Sequence, residues 1–141
     1  MRISRPLIDE IVAHSREARP RGEQGEECCG LLGGTDDDGG EIRSVHRARN
    51  VAATWLRFEL DAMDQYRITQ KIEEEDGEQV LGVYHSHTKS EAYPSQTDIN
   101  NARHIPGYIW LICSLADYDE PVVRGFWIKD GKVEEEDLDV V

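Results

Sequence analysis

The stretch Gln79 Val80 Leu81 Gly82 Val83 Tyr84 His85 Ser86 His87 Thr88 Lys89 Ser90 Glu91 Ala92 Tyr93 Pro94 Ser95 Gln96 Thr97 Asp98 carries the signals from which the rest of the chain is best read. Its first half is apolar and β-branched, which predicts a strand running to His87. Side chains alternate across a strand, so His85 and His87 point to one face and Ser86 to the other. Thr88 to Pro94 is polar and ends in a proline, which predicts a loop. Ser95 then suits an N-cap, with a helix continuing through Asp98, Ala102 and His104. Residues three apart share a helix face, so Ser95 and Asp98 can look back together at the end of the histidine strand. Two imidazoles and a carboxylate suit a borderline-soft divalent ion. A zinc held by His85, His87 and Asp98 would keep one tetrahedral position for water, the mark of a catalytic site. Simpler readings stand beside this: a solvated His-x-His, and a Ser-x-x-Asp that only caps a helix.

Toward the C-terminus, Tyr108 to Leu115 is an almost continuous apolar run, as expected of a strand buried on both faces. Pro121 to Lys129 is predicted as a further strand, Asp130-Gly131 as a hairpin turn, and Lys132 to Val140 as the returning strand. The acidic run Glu134 to Asp137 marks that strand as an edge guarded by charge. Toward the N-terminus, Leu7, Ile8, Ile11 and Val12 recur at helical spacing, which predicts a helix over Arg5 to Ala18. Pro20 ends it, and a Gly/Glu-rich loop delivers the chain to a short strand, Glu27 to Gly34. Thr35 to Gly40 is a solvated hairpin turn, since it lacks the ligand spacing of a calcium loop. Glu41 to Val51 and Trp55 to Leu60 are predicted as the next strands. Asp61 caps a second helix over Ala62 to Glu75, which Gly77 stops. Helices and strands without regular alternation give an α+β fold, a mixed β-sheet core flanked by helices, as a single domain over residues 1–141.

Composition narrows the partners. Sixteen Lys and Arg against 29 Asp and Glu leave a net charge of −13. Such a chain repels a phosphate backbone, so nucleic acid is excluded as a partner. No twenty-residue apolar run and no basic-then-apolar leader is present, so the expectation is a non-secreted, cytoplasmic protein with no membrane attachment. Three cysteines, two of them adjacent, do not form a disulfide framework. Cys28 and Cys29 are expected to be small buried hydrophobes rather than metal ligands, and Cys113 to be core. His14, His46 and His104 lie outside the motif and are expected to be solvated or locally hydrogen-bonded.

Glu27 before Cys28 Cys29 Gly30 Leu31 Leu32, then His85 Ser86 His87, seven residues, Ser95, two residues and Asp98, resembles the full signature of the JAMM (MPN-plus) zinc metalloproteases. Tyr-His-Ser-His-Thr followed by Glu-Ala-Tyr-Pro-Ser is similar to the small bacterial members, which act on ubiquitin-like sulfur-carrier proteins. The resemblance implies an MPN/cytidine-deaminase-like sandwich with zinc held by His85, His87 and Asp98. It implies that Glu27 passes a proton from water to the leaving amine, and that Ser95 stabilises the oxyanion. Ser86 is expected to brace a neighbour. The implied reaction is hydrolysis of the amide bond after the C-terminal Gly-Gly of a ubiquitin-like or sulfur-carrier protein, releasing cysteine or another adduct, as in cysteine biosynthesis. The competing class is a non-catalytic MPN scaffold or binding module. Such modules generally lose metal ligands, whereas all five residues are present here. Homodimerisation is left open.

Overall fold

The apolar run leading into His85 becomes the middle of an eight-stranded sheet. The computed structural model describes residues Met1–Val141. Its elements are β1 (Arg2–Ile3), α1 (Arg5–Ala18), β2 (Cys29–Thr35), β3 (Glu41–Ala48), α2 (Ala62–Gln70), β4 (Gln79–His87), α3 (Gln96–Ala102), β5 (Ile109–Ser114), β6 (Val122–Lys129), β7 (Lys132–Glu136) and β8 (Asp139–Val140). The strand order is β7-β6-β5-β4-β2-β3-β1-β8. β4 pairs parallel with β5 and β1 pairs parallel with both β3 and β8, while the remaining ladders are antiparallel.

Strand periodicity sorts the core into two layers. Leu32, Tyr84, Leu111 and Cys113 face α1, where they meet Ile8 and Ile11. Leu31, Val83 and Trp110 face the other way, against Phe58, Ile72 and Ala102. This is the expected mixed sheet with helices on both faces. Gly82 lets β4 and β5 approach closely, since a Cβ there would lie 1.9 Å from the Ile109 carbonyl oxygen. α2 begins as expected, with the Asp61 side chain accepting from the Asp64 amide. It runs on through a π-helical turn over Lys71–Glu75, and Gly77 takes a left-handed φ of 66° beyond it.

Three elements differ from expectation. Trp55 to Leu60 is not a strand; its one ladder contact is an isolated bridge between Asn50 and Leu60. Side chains have replaced the ladder. Asn50 Nδ2 donates to the carbonyls of Glu27 (2.9 Å) and Arg57 (3.1 Å), and its Oδ1 accepts from the amides of Ala52 (3.0 Å) and Glu59 (2.9 Å). Thr54 Oγ1 accepts from the amides of Leu56 and Arg57. Asn and Thr thus offer the backbone a local alternative to the sheet.

Lys132 to Val140 is not one strand but two, at opposite ends of the strand order. Only Asp137 and Leu138 join β7 to β8, so the sheet must curl until its ends nearly meet. Leu138 turns into the α1-side core, and the Met1 ammonium donates to the Asp137 carbonyl at 3.1 Å. The acidic β7 is an edge, as its charge predicts. Finally, α3 stops at Ala102 instead of reaching His104. Pro106 disfavours helical backbone in the residue before it, and Gly107 takes a φ of 83°.

Candidate metal centre

Three donor atoms converge where β4 ends against the start of α3. His85 Nε2 and His87 Nε2 lie 3.1 Å apart, and Asp98 Oδ2 lies 3.1 Å from the first and 3.2 Å from the second. The strand period brings the two rings to one face. A capping box sets the carboxylate: Ser95 Oγ accepts from the Asp98 amide at 3.1 Å, and Asp98 Oδ2 accepts from the Ser95 amide at 2.9 Å.

The donors fit a zinc ion. Their spacing is close to the edge, about 3.3 Å, of a tetrahedron with metal–ligand bonds near 2.0–2.1 Å. The tautomer of His87 agrees. Its Nδ1 donates to the Glu91 carbonyl at 2.8 Å, so in the neutral ring the Nε2 lone pair faces Asp98. Two lone-pair atoms at that distance repel unless a cation or proton lies between them. His85 is fully buried, with Phe58 stacked on it at 4.4 Å and Trp110 edge-on at 5.8 Å. Its Nδ1 has no hydrogen-bond partner.

Protonation follows from these surroundings. Burial lowers the pKa of His85, against the opposing pull of Asp98. Burial also works against the charged form of His87, but the Asp98 carboxylate and the Glu91 carbonyl outweigh it and raise the value. For Asp98 burial acts upward, yet the two imidazoles and the Ser95 amide hold it well below the usual carboxylate range.

Glu27 lies just ahead of β2, with only 5% of its surface exposed. Its amide donates to the Thr54 carbonyl at 2.9 Å and its own carbonyl accepts from Asn50. The 50–60 loop therefore fixes its backbone. Ser86 fixes it from the other side: its Oγ accepts from the Cys28 amide at 2.8 Å, and its amide donates to the Cys28 carbonyl at 3.1 Å. Glu27 Oε1 is buried without a partner. Burial, helped by the like charge of Asp98 and opposed by His87, pushes its carboxyl up to about 8. Glu27, His87 and Ser95 share one cleft of about 240 Å³ with Trp55, Thr88 and Lys89. The Lys89 ammonium sits 4.8 Å above the Trp55 ring, and Thr88 Oγ1 donates to the Trp55 carbonyl at 3.2 Å, so the loop is tied to the end of β4.

All five residues of the sequence motif thus border one site. Ser95 is visibly an N-cap; the cap uses an oxygen lone pair and leaves the O–H to donate elsewhere. Sequence reasoning missed Glu91, which acts through a backbone carbonyl, and Phe58, which it placed on a strand. It also missed Asn50, for which the only signal was an Asn ahead of a run of small residues. The residues set aside stay aside. Cys28, Cys29 and Cys113 are free and buried. His14 Nδ1 pairs with the Tyr84 hydroxyl at 2.7 Å, and burial lowers its pKa to about 4. His46 pairs with Ser44, and His104 is exposed. No helix is long and apolar enough to cross a membrane.

Known proteins resemble this chain in sequence and fold. Residues 4–129 match the family described as prokaryotic homologs of the JAB domain. A desampylase of Haloferax volcanii is 40% identical over 107 residues, covering 75% of this chain and 74% of the relative. A CysO-cysteine peptidase of Mycobacterium tuberculosis is 33% identical over 135 residues, covering 96% of this chain and 87% of the relative. Among solved structures, a protein of Desulfitobacterium hafniense superposes with a TM-score of 0.87 at 31% identity, over 99% of this chain and 92% of that one. A JAB1/MPN domain protein from Archaeoglobus fulgidus gives 0.62 at 25% identity, over 100% and 99%.

Proposed function

The chain belongs to the prokaryotic homologs of the JAB domain, and from that premise we propose that it is a zinc-dependent peptidase. On this reading it hydrolyses the amide bond after the C-terminal Gly-Gly of a ubiquitin-like sulfur-carrier protein and releases cysteine or another amine. The observation that carries the proposal is the convergence of His85, His87 and Asp98 beside a cleft that also holds Glu27 and Ser95. The names of the relatives, a desampylase and a CysO-cysteine peptidase, support the substrate class. Three buried free cysteines suit a reducing, cytoplasmic setting.

His85, His87 and Asp98 would hold the zinc, which when bound supplies the Lewis acidity that polarises a carbonyl and acidifies water. The protein groups do the rest. Glu27 Oε1, buried and without a partner, accepts the proton of the attacking water. Burial disfavours its charged form and the positive charge of a bound zinc would favour it, so the carboxylate beside the metal can take that proton and hand it to the departing amine. The Ser95 O–H donates to the oxyanion that forms on the scissile carbonyl. Glu91 keeps the His87 lone pair turned inward, and Phe58 holds the His85 ring. An extended tail fits a cleft walled by Trp55 and Lys89 best when its residues carry no Cβ, which favours glycine.

A carrier ending in Gly-Gly and joined to cysteine through an amide, incubated with the zinc-loaded protein and followed by intact mass, tests the proposal. The expected products are the free carrier and cysteine, with Glu27→Gln slower by about a hundredfold or more. An uncut conjugate, or equal cleavage by Glu27→Gln, would overturn it.

A further inference from the structure

Among the eight residues lining the cleft of about 240 Å³ there is one Lys or Arg, Lys89. Its backbone is held from both sides. Thr88 Oγ1 donates to the Trp55 carbonyl at 3.2 Å, and Ser114 Oγ donates to the Ser90 carbonyl at 2.6 Å. The side chain reaches the opposite wall, where its ammonium lies 4.8 Å from the centre of the half-buried Trp55 ring. The one carboxylate of the same cleft, Glu27, is buried and forms no ion pair with Lys89.

Nine of the 16 Lys and Arg side chains pair with a carboxylate. Lys89 does not, and no protein oxygen accepts from its ammonium; the Trp55 ring is its partner. A ring face attracts a cation but offers no lone pair, so N–H donors remain for another acceptor. In a chain of net charge −13 an anionic substrate group is repelled unless a cation meets it locally. Lys89 is a cation in the cleft that holds Glu27 and Ser95, on a pinned backbone that limits the ordering cost of binding.

We propose that Lys89 receives the free α-carboxylate of the leaving group, so that the chain prefers a carrier joined to a single amino acid over one joined to a lysine side chain of a protein. This rests on the peptidase reading above. In an amino-acid adduct only Cα separates the carboxylate from the scissile nitrogen, so a cation in the same small cleft can meet it. In an isopeptide the whole lysine side chain intervenes, and within a protein that carboxyl is itself an amide. Lys89 then has no anion to meet. Hydrolysis puts the water oxygen on the carbonyl carbon and its proton on the departing nitrogen, and Lys89 takes no part in either transfer.

Two conjugates that differ only in the carboxylate test this: a carrier ending in Gly-Gly joined through its terminal carbonyl to cysteine, and the same carrier joined to cysteinamide. With the zinc-loaded full chain, kcat/KM should favour the acid by about fivefold, as for a partly exposed charge pair. Lys89→Met keeps the apolar stem on Trp55 and should bring the ratio near one, while Lys89→Arg should keep the preference. Affinity of both conjugates for zinc-loaded Glu27→Gln reads recognition without turnover, and the acid should again bind about fivefold tighter, an advantage lost in Glu27→Gln/Lys89→Met. Equal treatment of acid and amide by the wild type, or a preference that survives Lys89→Met, would overturn the role of Lys89 while leaving the peptidase reading in place. A preference in binding with no cleavage of either conjugate would support the role of Lys89 and overturn the peptidase reading.

Discussion

Glu27→Gln in metal-stripped protein should make the fold more stable, and increasingly so as pH rises. The glutamine keeps the shape of the side chain and cannot ionise. In the folded state the Glu27 carboxyl is held up to about 8 from an ordinary 4.5, first by burial and then by the charge of Asp98, with His87 opposing. The unfolded chain releases this proton near 4.5, while the folded protein keeps it until about pH 8. Below 4.5 both states are protonated and nothing is lost. Between 4.5 and about 8 the unfolded state binds fewer protons, so wild-type stability falls as pH rises, and above about 8 the loss is complete. At 1.36 kcal/mol per tenfold change in proton affinity, the full penalty is on the order of 5 kcal/mol. That is a ceiling, because Glu27 borders the cleft and entering water would screen it. Urea unfolding of both proteins with chelator present, at about pH 5 and pH 9, reads this out directly. The advantage of Glu27→Gln should be small at the lower pH and grow by about 2–5 kcal/mol at the higher. An advantage that is equal at both values would refute the buried, destabilising carboxyl.

Ser95→Ala removes a cap that accepts from the Asp98 amide, which should cost about 1 kcal/mol of stability. If its hydroxyl also meets the oxyanion, kcat should fall by about a hundredfold or more with KM little changed, and Ser95→Thr should restore part of both. Asn50→Ala strips partners from two carbonyls and two amides at the base of the cleft loop. A loss of about 2–4 kcal/mol in chemical unfolding is expected, with faster hydrogen exchange of the Ala52 and Glu59 amides.

What could be read from sequence was what local chemistry decides. β4 runs from Gln79 to His87, as its apolar, β-branched run predicts, because neighbours on both sides reward the same register. The Asp130-Gly131 turn follows from two residues that tolerate a left-handed backbone, with φ of 53° and 76°. The convergence of His85, His87 and Asp98 follows from a period of two on a strand and a Ser-x-x-Asp at a helix start. Trp55 to Leu60 misled because its alternation is genuine while its backbone partners are the nearby side chains of Asn50 and Thr54 rather than a neighbouring strand. The split between β7 and β8 depends on sheet closure, with β1 supplying a pairing edge more than 130 residues away in sequence. Glu91 escaped because a carbonyl oxygen carries no side-chain signature. Fold and ligand geometry were therefore legible where neighbours in sequence are also neighbours in space.

Metal content by elemental analysis, on purified wild type beside Asp98→Ala and Glu27→Gln, tests the central claim most directly. Wild type and Glu27→Gln should each hold about one zinc per chain, and Asp98→Ala should hold close to none. Zinc retained in full by Asp98→Ala, or absent from the wild type after reconstitution, would contradict the assignment of His85, His87 and Asp98 as the metal centre.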